Sequence, residues 1–190
     1  MTPHLSRRGR STNRRRSLTF WTWACAGVLL SPPYATADAT LEYQVKAAFL
    51  LNFTKFIEWP ATAFADAGAP FTICVLGNDP FGSALEQVVS GETVGGRKLA
   101  VRKMDQPPAP QTCQVVFQAG TGKDRAAAPG SLGAGVLTVG EGESFVREGG
   151  IIAFVIDNHR VRFDINQSAA DHAALKLSSK LLSVARSVTR

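Results

Sequence analysis

Residues 151–166 read IIAFVIDNHRVRFDIN, and two strand patterns meet within them. The first part, Ile151 to Ile156, is a continuous apolar run of strand length rich in β-branched residues. Such a run has no polar side to give to water, so it belongs in a sheet covered on both faces. In the second part Val161, Phe163 and Ile165 alternate with Arg160, Arg162, Asp164 and Asn166, which makes one face dry and the other wet. Only Asp157-Asn158-His159 separates the two, a spacing that predicts an antiparallel hairpin.

Working outward, four further apolar runs precede this hairpin: Phe71 to Leu76, Leu99 to Val101, Val115 to Phe117 and Val136 to Val139. Apart from the short Leu99 run they do not alternate strongly. They therefore predict an α/β fold, a mainly parallel central sheet with a C-terminal antiparallel hairpin, flanked by long N- and C-terminal helices. Asp79 to Val89 and Lys123 to Leu132 read as weaker helical or loop segments, the second broken by Pro129-Gly130. The opening helix is EYQVKAAFLLNFTKFIEWP, residues 42–60, stopped by Trp59-Pro60 because the residue before proline is driven out of the helical region. Its apolar residues cover nearly the whole circumference, with Val45, Phe49, Phe53 and Phe56 on one side and Ala47, Leu50, Leu51 and Ile57 on the other. The final helix is expected to start at Ser168, where SAAD matches a capping box, and to bury Ala174, Leu177, Leu181 and Val184.

The amino terminus reads as an export signal. Six arginines between Arg7 and Arg16 precede an apolar stretch, Leu18 to Leu30, and Ala35-Thr36-Ala37 supplies an A-x-A cleavage site. The apolar stretch falls short of the roughly 20 residues a membrane span needs. The expected organisation is a signal peptide over 1–37 and a single domain over 38–190, delivered to the periplasm. The whole chain has 21 Lys+Arg against 15 Asp+Glu. Six of those arginines lie in the leader, so the remainder carries 15 of each sign and a formal charge of zero. The basic balance belongs to the leader, and nucleic acid is not expected as a partner. Cys74 and Cys113 survive processing. An isolated pair in an oxidising compartment forms a disulfide, the alternative being two buried thiols; an intact mass under non-reducing conditions separates them.

Catalytic patterns are missing. GTGKD at 120–124 lacks the glycine a phosphate loop needs at Phe117 and has Asp124 in place of the hydroxyl residue, and it reads as a mobile turn. After the leader the histidines are His159 and His172, with no Cys-x-x-Cys and no helical His pair, so no metal is expected. There is no G-x-S-x-G elbow and no G-x-G-x-x-G after the first strand. No enzyme activity and no cofactor are expected. What remains is polar residues on well-placed elements: Asn52 and Lys55 on the opening helix, Arg162 on the wet face of the last strand and Asn166 at its end. Together they would suit a small anionic or zwitterionic ligand, Arg donating in a planar fork and Asn both donating and accepting. They also have structural uses, Arg162 as the partner of a carboxylate and Asn166 as a helix cap.

Three stretches carry a family resemblance: EYQVKAAFLLNFTKFIEWP, then GVLTVGEGESF running into VREGGIIAFVI, then RVRFDINQSAADHAALKLSSKLLSVAR. In this order, and behind an export signal, they make the chain resemble the YfiR-like family of periplasmic proteins over most of its mature length. The resemblance implies an α/β protein with a central sheet between long first and last helices, and regulation rather than catalysis. The family's type member holds an inner-membrane diguanylate cyclase inactive through its periplasmic domain and is sequestered by an outer-membrane lipoprotein; other relatives serve sensor kinases. It implies control of cyclic di-GMP and so of biofilm formation. Cys74 and Cys113 look like one family disulfide. A second pair that some members carry around Gly149-Gly150 is missing, which leaves a redox switch built on that pair without support here.

The opening helix then acquires a use for its surplus apolar face. Leu50, Leu51, Ile57 and Trp59 are the candidates for packing against a second copy, as a homodimer, or against a partner's periplasmic segment, because monomers seldom leave large apolar patches wet. The alternative is that the C-terminal helix covers this face within one chain.

Overall fold

The computed structural model of the protein describes residues 35–190, with side chains from residue 40 onward. The expected leader, residues 1–37, lies outside the described residues except for its last three, which open the first helix. That helix, α1 (Ala35–Phe56), contains no Gly or Pro. It ends before Trp59-Pro60 because β1 (Ile57–Glu58) is already extended and pairs antiparallel with β9 (Lys176–Leu177).

The remaining strands form one sheet. They are β2 (Phe71–Leu76), β3 (Thr93–Val94), β4 (Arg97–Met104), β5 (Val115–Gln118), β6 (Leu137–Glu141), β7 (Ile152–Asp157), β8 (Arg160–Asn166) and β10 (Ser187–Thr189), in the spatial order β10-β8-β7-β6-β5-β2-β4-β3. The run from β4 through β2, β5 and β6 to β7 is parallel, and β7 turns back into antiparallel β8. The fold is therefore the mainly parallel α/β sheet with an antiparallel hairpin that the apolar runs predicted. The hairpin register opposes Asp157 to Arg160 and leaves Asn158 and His159 as a two-residue loop. Both have positive φ, 47° and 59°, the conformation a type I′ turn demands and one that matches strand twist.

Burial on both faces explains the unbroken apolar runs: every residue of β2 and of β5 is buried. One face packs Ile73, Val75, Phe117, Val139, Phe154 and Phe163 against Leu50 and Phe53 of α1. α1 runs antiparallel to the parallel strands. Tyr43, near its start, donates to Glu141 at the end of β6 (3.4 Å), while Trp59, just past its end, stacks edge-on against Phe71 at the start of β2 (4.8 Å). Beside α1 lies α2 (Ala84–Val89), which makes the crossover from β2 towards β4.

The other face has thinner cover: loops and the short α3 (Ser144–Arg147). Two devices close it. Cys74 and Cys113 form a disulfide with Cα atoms 5.9 Å apart, in a cluster with Leu76, Val116 and Val136. The fully buried ring of Phe145 also lies so close to Gly140 and Gly150 that a Cβ at either would come within 2.3 Å and 2.1 Å of it.

The expected long C-terminal helix is not continuous. It is divided into α4 (Gln167–His172), β9, α5 (Ser179–Val184) and β10. The break is at Ala174, which takes φ of 57°. A straight helix from Ser168 would lead the chain off the sheet. The break instead returns it, so that Leu175 and Leu181 both reach the core while Val184, expected on the buried stripe, is exposed. The caps follow from this: Asn166, not Ser168, accepts from the Ala169 N–H (2.9 Å), and Ser178 accepts from the Leu181 N–H (3.2 Å) to start α5.

Candidate protein-interaction face on α1

The four polar residues expected to share a ligand are dispersed. Asn52 and Lys55 lie exposed on α1, and Lys55 pairs with Glu92 at 2.9 Å. Phe163 points at α1, its ring 5.5 Å from Phe49 and 5.1 Å from Phe53, so its neighbour Arg162 projects from the opposite face of the sheet. Asn166 is a structural residue: besides capping α4 it donates from Nδ2 to the Val146 carbonyl at 3.0 Å. The strand period separates Arg162 from Asn52, and these four do not form one site.

The interface candidates divide differently. Leu50 and Ile57 are spent on the chain's own core and have no surface to offer. Leu51 and Trp59 are half-buried, and the Trp59 indole donates to the Gln114 carbonyl at 3.1 Å. Lys55, Ile57 and Trp59 do meet, with Phe64, Phe71 and Arg97, around an open cleft of about 700 Å3 at the amino ends of β2 and β4. The Arg97 guanidinium stacks over Phe64 at 4.0 Å and donates to the carbonyls of Asp66 and Ala69. Glu58 also lines the cleft and Lys55 is already paired with Glu92, so the aromatic floor leaves room for an apolar group.

Sequence reasoning missed the most open apolar positions of α1. Leu41 is 61% and Val45 38% exposed, and Gln44, Ala48 and Asn52 continue the same exposed side. The signal was there: residues 41, 45, 48 and 52 recur at three- and four-residue spacing, the period of one helix face. It was hidden because apolar residues run nearly all round the helix, the core stripe Ala47, Leu50, Phe53 and Ile57 among them.

Charges near this face are already satisfied from within. Lys46 is almost wholly buried and pairs with both Glu42 and Glu141, with its ammonium 4.4 Å above the Tyr43 ring. Burial, and then the negative charge of Glu141, push the Tyr43 phenol well above the ordinary tyrosine value. On the other side Arg186 binds the buried Asp164 and also Glu143, bonds that hold its guanidinium protonated and tie β10 to β8.

Of the carboxyl ends of the strands, where open α/β sheets bind ligands at the point of reversal in strand order, the β2 end is filled by side chains, while a recess of about 370 Å3 lined by Lys46, Glu141, Glu143 and Arg186 stays open beside β6 and β7. After β2 the ring of Phe81 packs on Phe117 (4.8 Å) and on Tyr43 (5.5 Å). His159 is at the hairpin tip, and the His172 ring lies 2.7 Å from the Ser168 carbonyl within its own helix. Among the described residues no group of three or more His, Cys, Asp or Glu is arranged to hold a metal, and no helix is long and apolar enough to cross a membrane. What this arrangement offers chemically is an apolar face, a neighbouring cleft and a self-neutralised polar interior.

The model of the YfiR/HmsC-like family matches residues 43–186. A solved structure described as a conserved domain protein from Vibrio cholerae O1 biovar El Tor is similar at 15% identity with a TM-score of 0.41, covering 62% of this chain and 54% of that one. The chain thus spans about half the length of that protein. No curated protein matches the chain.

Proposed function

We propose that this chain, which belongs to the YfiR/HmsC-like family, is a periplasmic regulatory protein that binds and represses an inner-membrane signalling protein. A diguanylate cyclase is the intended target, with cyclic di-GMP and biofilm formation as the output. Residues 1–37 are removed on export, and residues 38–190 act by stoichiometric binding without a catalytic centre. A sensor kinase is a second kind of target, and an outer-membrane lipoprotein a second partner. The observation that carries this reading is the contrast on α1, where Leu41 and Val45 stay open to solvent while the charges of Lys46, Glu42 and Glu141 are consumed internally. A surface of this kind recognises another apolar surface, not a charged metabolite.

The test is cellular cyclic di-GMP in a deletion strain against its parent, with the protein restored to the periplasm as control. A rise on deletion, reversed by restoration, is the expected result. An unchanged level in cells that contain the protein refutes the cyclase as its target.

The cleft around Trp59, Phe64, Phe71, Lys55 and Arg97 favours an alternative, a periplasmic small-ligand-binding sensor serving a membrane kinase or receptor. A thermal-shift screen separates the two. A ligand at 100 times its dissociation constant adds about 2.7 kcal/mol to stability, and Arg97→Ala should abolish that gain if the cleft is the site.

A further inference from the structure

β4 is open along part of its outer side. Its parallel register with β2 runs from Leu99 to Met104, while on the other side β3 reaches only Arg97 and Lys98. Backbone groups of alternate residues point to the same side of a strand. The Leu99 N–H points outward, to the Glu92 carbonyl (3.1 Å), and the Met104 carbonyl points inward, accepting from the Gly77 N–H (2.8 Å). Val101 and Lys103 therefore turn their N–H and C=O outward, and among the described residues no other backbone bonds to them there. An edge with unpaired groups is a template for one more strand.

The side chains select which strand. β4 reads RKLAVRKM, with four cations and no acid, in a chain whose charges balance once its leader is removed. Lys103 faces α2 and is neutralised by Asp79 (2.7 Å) and Glu86 (3.2 Å). Arg102, in register with Cys74, projects from the disulfide face, and Lys98 shares that face by the strand period. Both are exposed, and neither enters an ion pair among the described residues. Val101 faces the other way, half-buried beside Leu99 against the core. A second copy is refused, because the antiparallel register that uses Val101 and Lys103 of both chains sets Arg102 directly opposite Arg102. The same geometry favours an acidic strand. One carboxylate opposite Arg102 and another opposite Ala100 would lie beside Arg102 and within reach of Lys98, while an apolar residue between them would pack next to Val101.

We infer that the outer side of β4, residues 100–104, is a docking edge for an extended acidic segment of another protein, one in which carboxylates alternate with apolar residues. Main-chain bonds to Val101 and Lys103 supply the attachment, and Arg102 with Lys98 supplies the choice of partner. Charged edge residues ordinarily turn further strands away; here they turn away only strands of their own sign. The edge is separate from the outward side of α1, so its test leaves the regulatory reading to stand or fall on its own experiment.

The probe is a capped, fluorescein-labelled peptide of alternating Glu and Val, about seven residues long, set against the same peptide with Lys in place of Glu. Both are titrated by fluorescence anisotropy into the full chain exported with its own leader. The Glu peptide should bind at least about tenfold more tightly than the Lys peptide. At saturation, hydrogen exchange at the Val101 and Lys103 amides should slow severalfold, with little change at Ala100 and Arg102, which already bond to β2. Val101→Pro removes one outward N–H and leaves the β2 ladder intact, as proline on an edge strand can, and should weaken binding by about tenfold or more. Arg102→Glu, an exposed change that does not depend on proline being tolerated, should lose the Glu peptide and gain the Lys peptide. A parent that does not bind the Glu peptide overturns the inference, as does equal binding of the two peptides. Binding that Arg102→Glu leaves unchanged, or that brings no protection of Val101 and Lys103, overturns it too.

Discussion

Replacing Cys74 and Cys113 together by alanine removes the cross-link without leaving a thiol. The two are 39 residues apart, and the segment between them holds the β2–β4 crossover before the chain returns to lay β5 on the other side of β2. In the chain-entropy model a loop of that length makes the cross-link worth about 4 kcal/mol, chiefly through the entropy it denies the unfolded chain. Both side chains are buried against Leu76, Val116 and Val136, so alanine also forfeits some packing, and the entropic figure is a lower estimate. For a domain of this size each kcal/mol is worth about 2–4 °C, so the melting temperature should fall by about 8–16 °C. The assay is urea and thermal unfolding followed by circular dichroism, for the double variant and for the parent with and without reductant. Because the effect acts on the unfolded state, the urea slope should rise as the midpoint falls, the released chain exposing more surface. A loss below about 1 kcal/mol with an unchanged slope would refute the claim that this bond supplies what the thinly covered face lacks.

Three other expectations follow from single contacts. Phe53→Ala should cost about 3–5 kcal/mol, since the ring is buried among Phe49, Phe154 and Phe163, whereas half-buried Leu51→Ala should cost less than about 1 kcal/mol; equal losses in urea titrations would contradict the burial of one side of α1. Lys46→Met leaves Glu42 and Glu141 facing each other without their cation and should destabilise by about 1–3 kcal/mol, less than for a fully dry pair because both carboxylates keep some water; adding Glu141→Gln should restore part of the loss, and no recovery in that double variant would argue against the pairing. The chain has two tyrosines, and removal of residues 1–37 takes Tyr34, so ultraviolet titration of the exported protein reports Tyr43 alone. Its folded pKa is raised, so the phenol contributes stability at pH below the ordinary tyrosine value of about 10 and loses it as the pH climbs through the folded value; an ordinary midpoint in the folded protein would refute its burial beside Glu141.

By itself the sequence determined whatever depends on neighbours along the chain. The apolar runs named the strands because residues covered on both faces leave no wet side to interrupt them, as Phe71–Leu76 does with no residue out of place. The alternation in residues 160–166 and its short link to Ile156 specified the hairpin, since strand period and a two-residue loop are local properties. Tertiary structure decided everything that turns on which face meets what. Lys46 finds Glu141 across 95 residues, a pairing no spacing rule contains. Arg162 was parted from Asn52 by the direction Phe163 takes into the core, and the last helix was broken at Ala174 because Leu175 and Leu181 could not both be buried along a straight one. The same holds for α1. The sequence set Val45, Phe49, Phe53 and Phe56 on one side and Ala47, Leu50, Leu51 and Ile57 on the other, but the sheet covered Phe53 from the first with Leu50 and Ile57 from the second and left Leu41, Val45 and Ala48 on the outside.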